Sequence, residues 1–267
     1  MGHTSISNVL PSVASPLIRQ PGSSLWDIPV LITAPASEAD RLLVTFVRDC
    51  RRMAQVRSLD AILSPIRANV RPLLKYHPAS PTQSPPGLQK GGIRSQPLSP
   101  AVSGPTADHP ITSLATSLCD NVGMTSIFER LAVFAPIRSV VSWLAHPTTE
   151  TSLRLGENFK PTRLQLSVPH SQWIDLIQWA PLRDRLIQEP DRYDTKQMQV
   201  DYSKSLRLVN WPGRQVDALE FDERTGDVWL SDGFMAHAED SRNWRLCSEF
   251  AGMYPELRSL VCVEGDV

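Results

Sequence analysis

The side chains of this sequence that could act together in chemistry are a histidine and an aspartate five residues apart, His170 and Asp175, with His146 as a third candidate. A histidine beside a carboxylate can transfer protons or help to hold a metal ion. A spacing of five, however, does not place two side chains on one face of a helix. We therefore interpret His170 as a hydrogen-bonding residue where a helix begins. Asp175 is then expected to pair with an arginine, either Arg163 or Arg183.

The same segment offers further interaction or structural candidates rather than catalytic ones. Arg183, Asp184 and Arg185 form a triplet that is expected to lie outside the apolar stripe of its helix. Such a triplet is typical of a salt-bridge cluster at the start of a helix or of a protein-binding edge. Trp173 and Trp179 add large apolar side chains. The sequence contains no GxSxG, HExxH, P-loop or GxGxxG signature. It therefore predicts no catalytic residue, no metal site and no cofactor, and an enzyme is not the expected class.

An arginine-rich stretch provides the candidate nucleic-acid contacts, Arg48, Arg51 and Arg52. Residues 41–75 hold eight basic residues against two aspartates, although the whole chain has a formal net charge of -1. Such a local excess of positive charge can contact phosphates. The favoured interpretation is instead a pair of helices that pack their apolar stripes on the main domain and leave the arginines in solvent. Direct DNA binding is therefore not favoured.

Composition divides the chain into four parts. Residues 1–36 mix serine, proline and short apolar side chains, which predicts a flexible leader. Residues 37–76 predict a basic helical segment that begins with a cap at Ser37. Residues 77–124 begin with a stretch rich in proline and serine and predict a disordered linker. Residues 125–263 contain six of the seven tryptophans and predict a folded C-terminal domain.

In this C-terminal domain the apolar periodicity predicts a compact, mostly α-helical fold with one short β-hairpin. Gly226 lies between the two strands of the hairpin, and Pro181 starts a short helix. The alternating residues 164–168 predict a short strand. Further helices are expected over residues 193–208 and 241–253.

Cysteine usage and hydropathy argue against a protein held together by zinc or disulfide bonds and against a membrane-spanning protein. The four cysteines are far apart and form no CxxC pair, so the sequence predicts neither a structural zinc site nor a disulfide framework. The N-terminal residues have no charged region followed by an apolar core, so no signal peptide is predicted. No run approaches the roughly eighteen apolar residues that a membrane-spanning helix needs.

Several short motifs, in this order and spacing, resemble a known fungal family. They are Trp143–Thr148, Pro161–Leu166, Trp173–Asp175 and Leu182–Ile187. The family is the domain of unknown function found C-terminal to the basic leucine zipper in filamentous-fungal transcription factors, and also found alone. The resemblance covers residues 125–263. The sequence differs from the family pattern at Gln178 and Ala180, on either side of Trp179, and it shows no basic region followed by leucine heptads.

The resemblance implies a fungal transcriptional regulator that acts in the nucleus as a protein-interaction module, without its own basic leucine zipper. Its expected partners are other regulatory proteins, such as a zipper transcription factor, and no membrane is expected. The alternative is an enzyme or ligand-binding protein of fungal secondary metabolism, in the cytoplasm. A histidine and an acidic residue near a hydrophobic pocket are the only support for that alternative.

Overall fold

The computed structural model describes residues 33–54, 68–75 and 109–266. Most of the predicted leader, the middle of the basic segment and the first part of the predicted linker lie outside these ranges. The described part is mostly α-helical and carries short antiparallel strands, which confirms the predicted fold class.

The helices and strands are short and closely spaced after residue 109. The α-helices are α1 Glu38–Ala54, α2 Pro110–Asn121, α3 Ile127–Ala132, α4 Phe134–Ala145, α5 Thr149–Leu153, α6 Ala180–Gln188, α7 Pro190–Tyr193, α8 Lys196–Ser205, α9 Asp232–Glu239 and α10 Ser248–Met253. The strands are β1 Leu206–Leu208, β2 Leu219–Phe221, β3 Val228–Leu230 and β4 Trp244–Leu246. The 3-10 helices are Arg71–Leu74, Glu157–Phe159, Gln172–Leu176, Gln215–Ala218, Ser241–Asn243 and Pro255–Leu260.

Helix α1 begins after Ser37, whose hydroxyl accepts a hydrogen bond from the backbone N–H of Asp40 at 3.1 Å. This side-chain cap confirms the predicted start of the helix. The apolar stripe of α1, with Leu43, Val47 and Cys50, is buried and packs against α2 and α4. The helix therefore shares the core of the main domain, as the favoured interpretation of its arginines requires.

Helix α2 contradicts the predicted linker of residues 77–124 over its last part. Pro110 lies in its first turn, where a missing N–H removes no helical hydrogen bond. His109 precedes it, and its Nδ1 accepts from the backbone N–H of Ile111 at 3.3 Å. Ile111 and Ala115 are fully buried. The fold thus already includes His109 and does not begin at residue 125.

Arg130 of α3 ties the separate stretch 68–75 to the domain. Its side chain is fully buried. It donates hydrogen bonds to the carbonyl oxygens of Leu73 at 3.1 Å, Met124 at 3.1 Å and Lys75 at 3.3 Å. A buried cation is tolerated only where such acceptors satisfy it. The basic segment is therefore anchored by an arginine of the main domain.

The chain after Ser126 forms two helices, α3 and α4, which are separated at Val133. Pro136 lies in the first turn of α4. Backbone N–H groups in a first turn have no partner within the helix, so proline is accommodated there without loss. The proline therefore accompanies the start of a second helix and does not bend a continuous one.

The predicted hairpin is confirmed by strands β2 and β3, which pair antiparallel with Leu219 opposite Leu230 and Phe221 opposite Val228. Gly226 lies in the connection with a φ of 72°, a left-handed conformation that glycine adopts without steric penalty. The hairpin signal was local and strong, because turn residues separated two short apolar runs.

A second antiparallel pair is formed by β1 and β4, with Leu206 opposite Leu246 and Leu208 opposite Trp244. The helices predicted over residues 193–208 and 241–253 are therefore wrong at these positions. Each of the two strands buries its first and third residues and leaves the middle one partly exposed. This two-residue period, completed by pairing between distant segments, overrides the local helical pattern.

Candidate functional site

The turn of residues 162–168 forms one side of the candidate site, and it is not the short strand that the alternating sequence predicts. The backbone N–H of Val168 donates to the carbonyl of Leu164 at 2.8 Å, as in a helical turn. Thr162 Oγ1 accepts from the N–H of Gln165 at 3.2 Å, and Gln165 Oε1 accepts from the N–H of Thr162 at 2.9 Å. This reciprocal pair is a capping box, so Thr162 and Gln165 curl the chain instead of extending it.

His170 is buried between this turn and the 3-10 helix Gln172–Leu176, and both of its ring nitrogens are engaged. Nδ1 lies 2.8 Å from the carbonyl oxygen of Val168, and Nε2 lies 3.1 Å from Oδ1 of Asp175. A carbonyl oxygen can only accept a hydrogen bond, and an ionised carboxylate can only accept as well. When the imidazole is protonated, both nitrogens are therefore placed to donate, and His170 then forms an ion pair with Asp175.

Two opposing influences act on the pKa of His170. Burial lowers the pKa of the imidazole. The hydrogen bond to Asp175, the negative charge of that carboxylate and the carbonyl of Val168 act in the opposite direction and leave the pKa raised above 6.5. In the protonated form the ring has no free lone pair with which to accept a proton or ligate a metal.

Asp175 Oδ1 also accepts a hydrogen bond from Gln165 Nε2 at 2.6 Å. Its second oxygen, Oδ2, is buried and has no hydrogen-bond partner among the residues that the structure describes. The predicted ion pair of Asp175 with an arginine is wrong as a direct contact. Arg163 is exposed, and Gln165 lies between Asp175 and Arg183.

Arg183 in helix α6 is fully buried, which contradicts its expected place outside the apolar stripe. Its Nε donates to Gln165 Oε1 at 2.9 Å. Its terminal nitrogens donate to the carbonyl oxygens of Asn158 at 2.6 Å, Ile177 at 2.6 Å and Lys160 at 2.8 Å. Burial lowers the pKa of Arg183, but a guanidinium remains charged in proteins. The arginine therefore joins several stretches of backbone through its donors.

The other two members of the triplet have different roles. Asp184 accepts a hydrogen bond from Thr162 Oγ1 at 2.5 Å, so it holds the turn against α6. Arg185 forms an ion pair of 3.2 Å with Glu189 one helical turn later, and its side chain is 37% exposed. The members of the triplet do not pair with one another: Arg183 binds backbone and amide oxygens, and Arg185 pairs with Glu189.

The two tryptophans of the segment are buried and are not presented to a partner. Trp173 Nε1 donates to Asp194 at 2.9 Å, and its backbone N–H donates to Asp40 at 2.9 Å. Burial raises the pKa of the Asp40 carboxyl, although the hydrogen bonds from the backbone N–H groups of Trp173 and Ala36 act to lower it. Trp179 meets the ring of Tyr202 edge-on, with centroids 6.2 Å apart. Both indoles are therefore structural.

Residues 138–265 match the family described as Domain of unknown function (DUF3425). The match begins within α4 and includes the whole network from Thr162 to Arg183. No curated protein and no solved structure matches the chain. The described helices include none that combines the length and apolar character needed to cross a membrane.

His146, at the start of the DUF3425 match, does not join the other candidates in a metal site. It is exposed at the C-terminal end of α4, where its carbonyl accepts a hydrogen bond from Thr151 at 2.7 Å. Within residues 33–54, 68–75 and 109–266 no group of three or more histidine, cysteine, aspartate or glutamate side chains is placed to hold a metal ion. All four cysteines are free thiols.

The arginines of α1, outside the DUF3425 match, are used in different ways. Arg51 donates from Nε at 2.9 Å and from Nη2 at 2.6 Å to the carbonyl of Leu144, in the last turn of α4. A cation at the C-terminus of a helix stabilises its unpaired carbonyls. Arg48 and Arg52 are exposed, four residues apart on one face of the helix. Of the predicted nucleic-acid contacts, only these two face solvent.

The sequence did not indicate two functional members of the network, Gln165 and Asp194. Gln165 could have been found from the Thr-x-x-Gln spacing, which is a capping-box signature. Asp194 accepts hydrogen bonds from Ser171 at 2.5 Å and from Trp173 at 2.9 Å across more than twenty residues of chain. No local pattern predicts such a contact, because it depends on how α7 returns to the 3-10 helix.

Proposed function

We propose that the protein is a fungal transcriptional regulator that works as a protein-interaction module, without a basic leucine zipper of its own. The observation that carries the proposal is the buried hydrogen-bond network around His170. The two imidazole nitrogens, Asp175 Oδ1 and the Arg183 guanidinium are engaged within it, and only Asp175 Oδ2 of the His170–Asp175 pair lacks a partner among the described residues, so the most distinctive residues of the DUF3425 match build a scaffold and not a reactive centre. A rigid scaffold of this kind suits binding.

The regulatory context is supported by the resemblance to the domain that follows the basic leucine zipper in filamentous-fungal transcription factors. The expected partners are therefore other regulatory proteins, such as a zipper transcription factor, and the expected compartment is the nucleus. Direct DNA contact is not part of the proposal. Arg51 is engaged with the end of α4, and of the three exposed arginines of α1, Arg41 pairs with Glu38 and Arg52 pairs with Asp49.

The test combines localisation with partner identification for the full chain in a filamentous fungus. A fluorescent fusion is expected in the nucleus, and proximity labelling is expected to recover transcription factors that carry a basic leucine zipper. Leu153, at the end of α5, is 77% exposed and is the first residue to alter. Removal of its apolar surface from water by a partner would favour binding by about 25 cal/mol per Å².

The matched pair of variants is Leu153→Ser and Glu150→Ser, both on α5 and both solvent-exposed. The leucine variant is expected to reduce labelling of the regulatory partner, and the glutamate variant is expected to leave it unchanged. A cytoplasmic fusion that labels no transcriptional protein would refute the proposed function.

A ligand-binding protein of fungal secondary metabolism is the second candidate. Its support from the sequence, His170 with Asp175, is weakened because both imidazole nitrogens and Asp175 Oδ1 are already hydrogen-bonded within the fold. A different observation favours it, namely an apolar cavity elsewhere in the core, near Trp173 and Tyr202.

A further inference from the structure

The cavity lies where α1, α2, α4, the 3-10 helix Gln172–Leu176 and α8 meet. Its volume is about 70 Å³, and apolar side chains such as Leu43, Leu118 and Ile137 form most of its wall. Protein interiors contain few voids larger than a water molecule, and one water needs only roughly 10–15 Å³ by this measure. The cavity therefore exceeds what imperfect packing or a single water molecule accounts for.

One polar atom in the wall lacks a partner. Gln178 lines the cavity and is 3% exposed, and its Oε1 is buried without a hydrogen bond among the described residues. Its backbone N–H donates to the hydroxyl of Tyr202 at 3.3 Å, so the backbone at this position is fixed. An unsatisfied buried acceptor costs about 1–3 kcal/mol, and a donor placed in the cavity offsets that cost.

The wall carries no charge. No acidic or basic side chain lines the cavity, and burial raises the pKa of the Cys119 thiol to about 12, so the thiol stays neutral. Burial likewise raises the pKa of the Tyr202 hydroxyl. A charged ligand would lose its hydration there without gaining an ionic partner. The wall therefore suits a neutral molecule.

The volume of the cavity limits how much of a ligand it can enclose. A dry cavity of about 150 Å³ binds benzene, and this cavity of about 70 Å³ is less than half that size. The cavity can therefore enclose only one end of a ligand of six or seven heavy atoms, and the rest of the ligand must extend towards solvent. Leu176 and Ser203 are the half-buried members of the wall, and the others are buried.

We propose that this cavity binds the hydroxyl end of a neutral aliphatic alcohol, whose O–H donates to Gln178 Oε1 and whose chain runs out between Leu176 and Ser203. The site is separate from the network around His170 and from the surface of α5. It gives the protein a small-molecule ligand of defined chemistry, whether or not a partner protein binds elsewhere.

The test compares two probes of equal size by isothermal titration calorimetry on the full chain, 1-hexanol and 1-methoxypentane. The ether has the same number of heavy atoms but no donor. The alcohol is expected to bind about tenfold more tightly, the factor that corresponds to one hydrogen bond of ordinary strength. Equal affinities, or binding of neither probe because the cavity holds water alone, would overturn the proposal.

Two variants test whether the probes bind in this cavity. Gln178→Met keeps the side-chain length and removes the acceptor, so the affinity for the alcohol is expected to fall to that for the ether. Ala39→Leu adds volume to the wall from α1, so both probes are expected to lose binding. A preference for the alcohol that survives in Gln178→Met also contradicts the proposal. The comparison of probes on the unaltered chain remains decisive if a variant does not fold.

Discussion

Arg183 and Gln165 are joined by a hydrogen bond of 2.9 Å from Nε to Oε1, and through it a buried guanidinium is connected to the His170–Asp175 pair. Gln165 uses its carbonyl oxygen towards Arg183 and its amide nitrogen towards Asp175. Gln165 therefore lies between the arginine and the carboxylate and fixes the position of each relative to the other. The segment with the most distinctive residues is thus held by one continuous chain of hydrogen bonds.

Replacement of Arg183 by alanine is expected to lower the free energy of unfolding by about 4 kcal/mol or more. It removes the donor from three buried or partly buried carbonyl oxygens and one of the two donors to Gln165 Oε1, and each orphaned buried acceptor costs about 1–3 kcal/mol. Urea titration followed by tryptophan fluorescence measures the loss. The matched control is Arg185→Ala, whose partly exposed ion pair is worth less than about 1 kcal/mol. Equal losses in the two variants would show that Arg183 is not the anchor.

The sequence predicts elements whose signals are local. The cap at Ser37, the proline in the first turn of α6 and the turn at Gly226 each depend on a few adjacent residues, and the structure has all three. The prediction that Arg183 is exposed was wrong, although arginine is usually exposed. Its burial requires acceptors, and the carbonyl oxygens of Asn158, Lys160 and Ile177 supply them. No periodicity reveals those acceptors.

Long-range pairing is the other part that the sequence leaves open. Strands β1 and β4 have three residues each, too few for a reliable two-residue period. The candidate site could also be predicted only in part from the sequence. The proximity of His170 to Asp175 was suggested by their types, but the partner of the second imidazole nitrogen is a backbone carbonyl, which any residue could supply.

Asp175→Asn is expected to change the pH dependence of stability. The pKa of His170 is raised in the folded protein, so its stabilising contribution is complete below its unfolded pKa of about 6.5 and is lost as the pH rises through the folded pKa. Asparagine can keep the oxygen that accepts from Gln165 and His170 but removes the charge. The variant should therefore be less stable than the unaltered chain at pH about 5.5, by roughly 2 kcal/mol, with a smaller difference at alkaline pH.

Unfolding titrations at several pH values between about 5 and 9 test this dependence. His146→Gln is the control, because this histidine is exposed and lies outside the hydrogen-bond network of His170. A difference between Asp175→Asn and the unaltered chain that stays constant over the whole range would contradict the charged pair.

Among the arginines of α1, Arg51→Ala is expected to destabilise the fold by about 1–2 kcal/mol, because it removes a charged donor from the last turn of α4. Arg48→Ala and Arg52→Ala should each change stability by less than about 0.5 kcal/mol, since both side chains are in solvent. Thermal unfolding separates the three variants. If the Arg48 and Arg52 variants, folded as well as the unaltered chain, lost a measurable affinity for DNA, the exclusion of direct DNA contact would be wrong.

Gln172 and Gln165 give opposite predictions for the same chemical change. Gln172 is fully buried, and neither its Oε1 nor its Nε2 has a hydrogen-bond partner among the described residues. Methionine has a similar length and no strong polar group, so Gln172→Met removes an unpaired amide at little cost in packing. It is expected to raise the free energy of unfolding by about 1 kcal/mol. Gln165→Met removes an amide that is bonded at both ends and should lower it by about 2 kcal/mol or more. A lower free energy of unfolding for Gln172→Met would contradict an unpaired amide at this position.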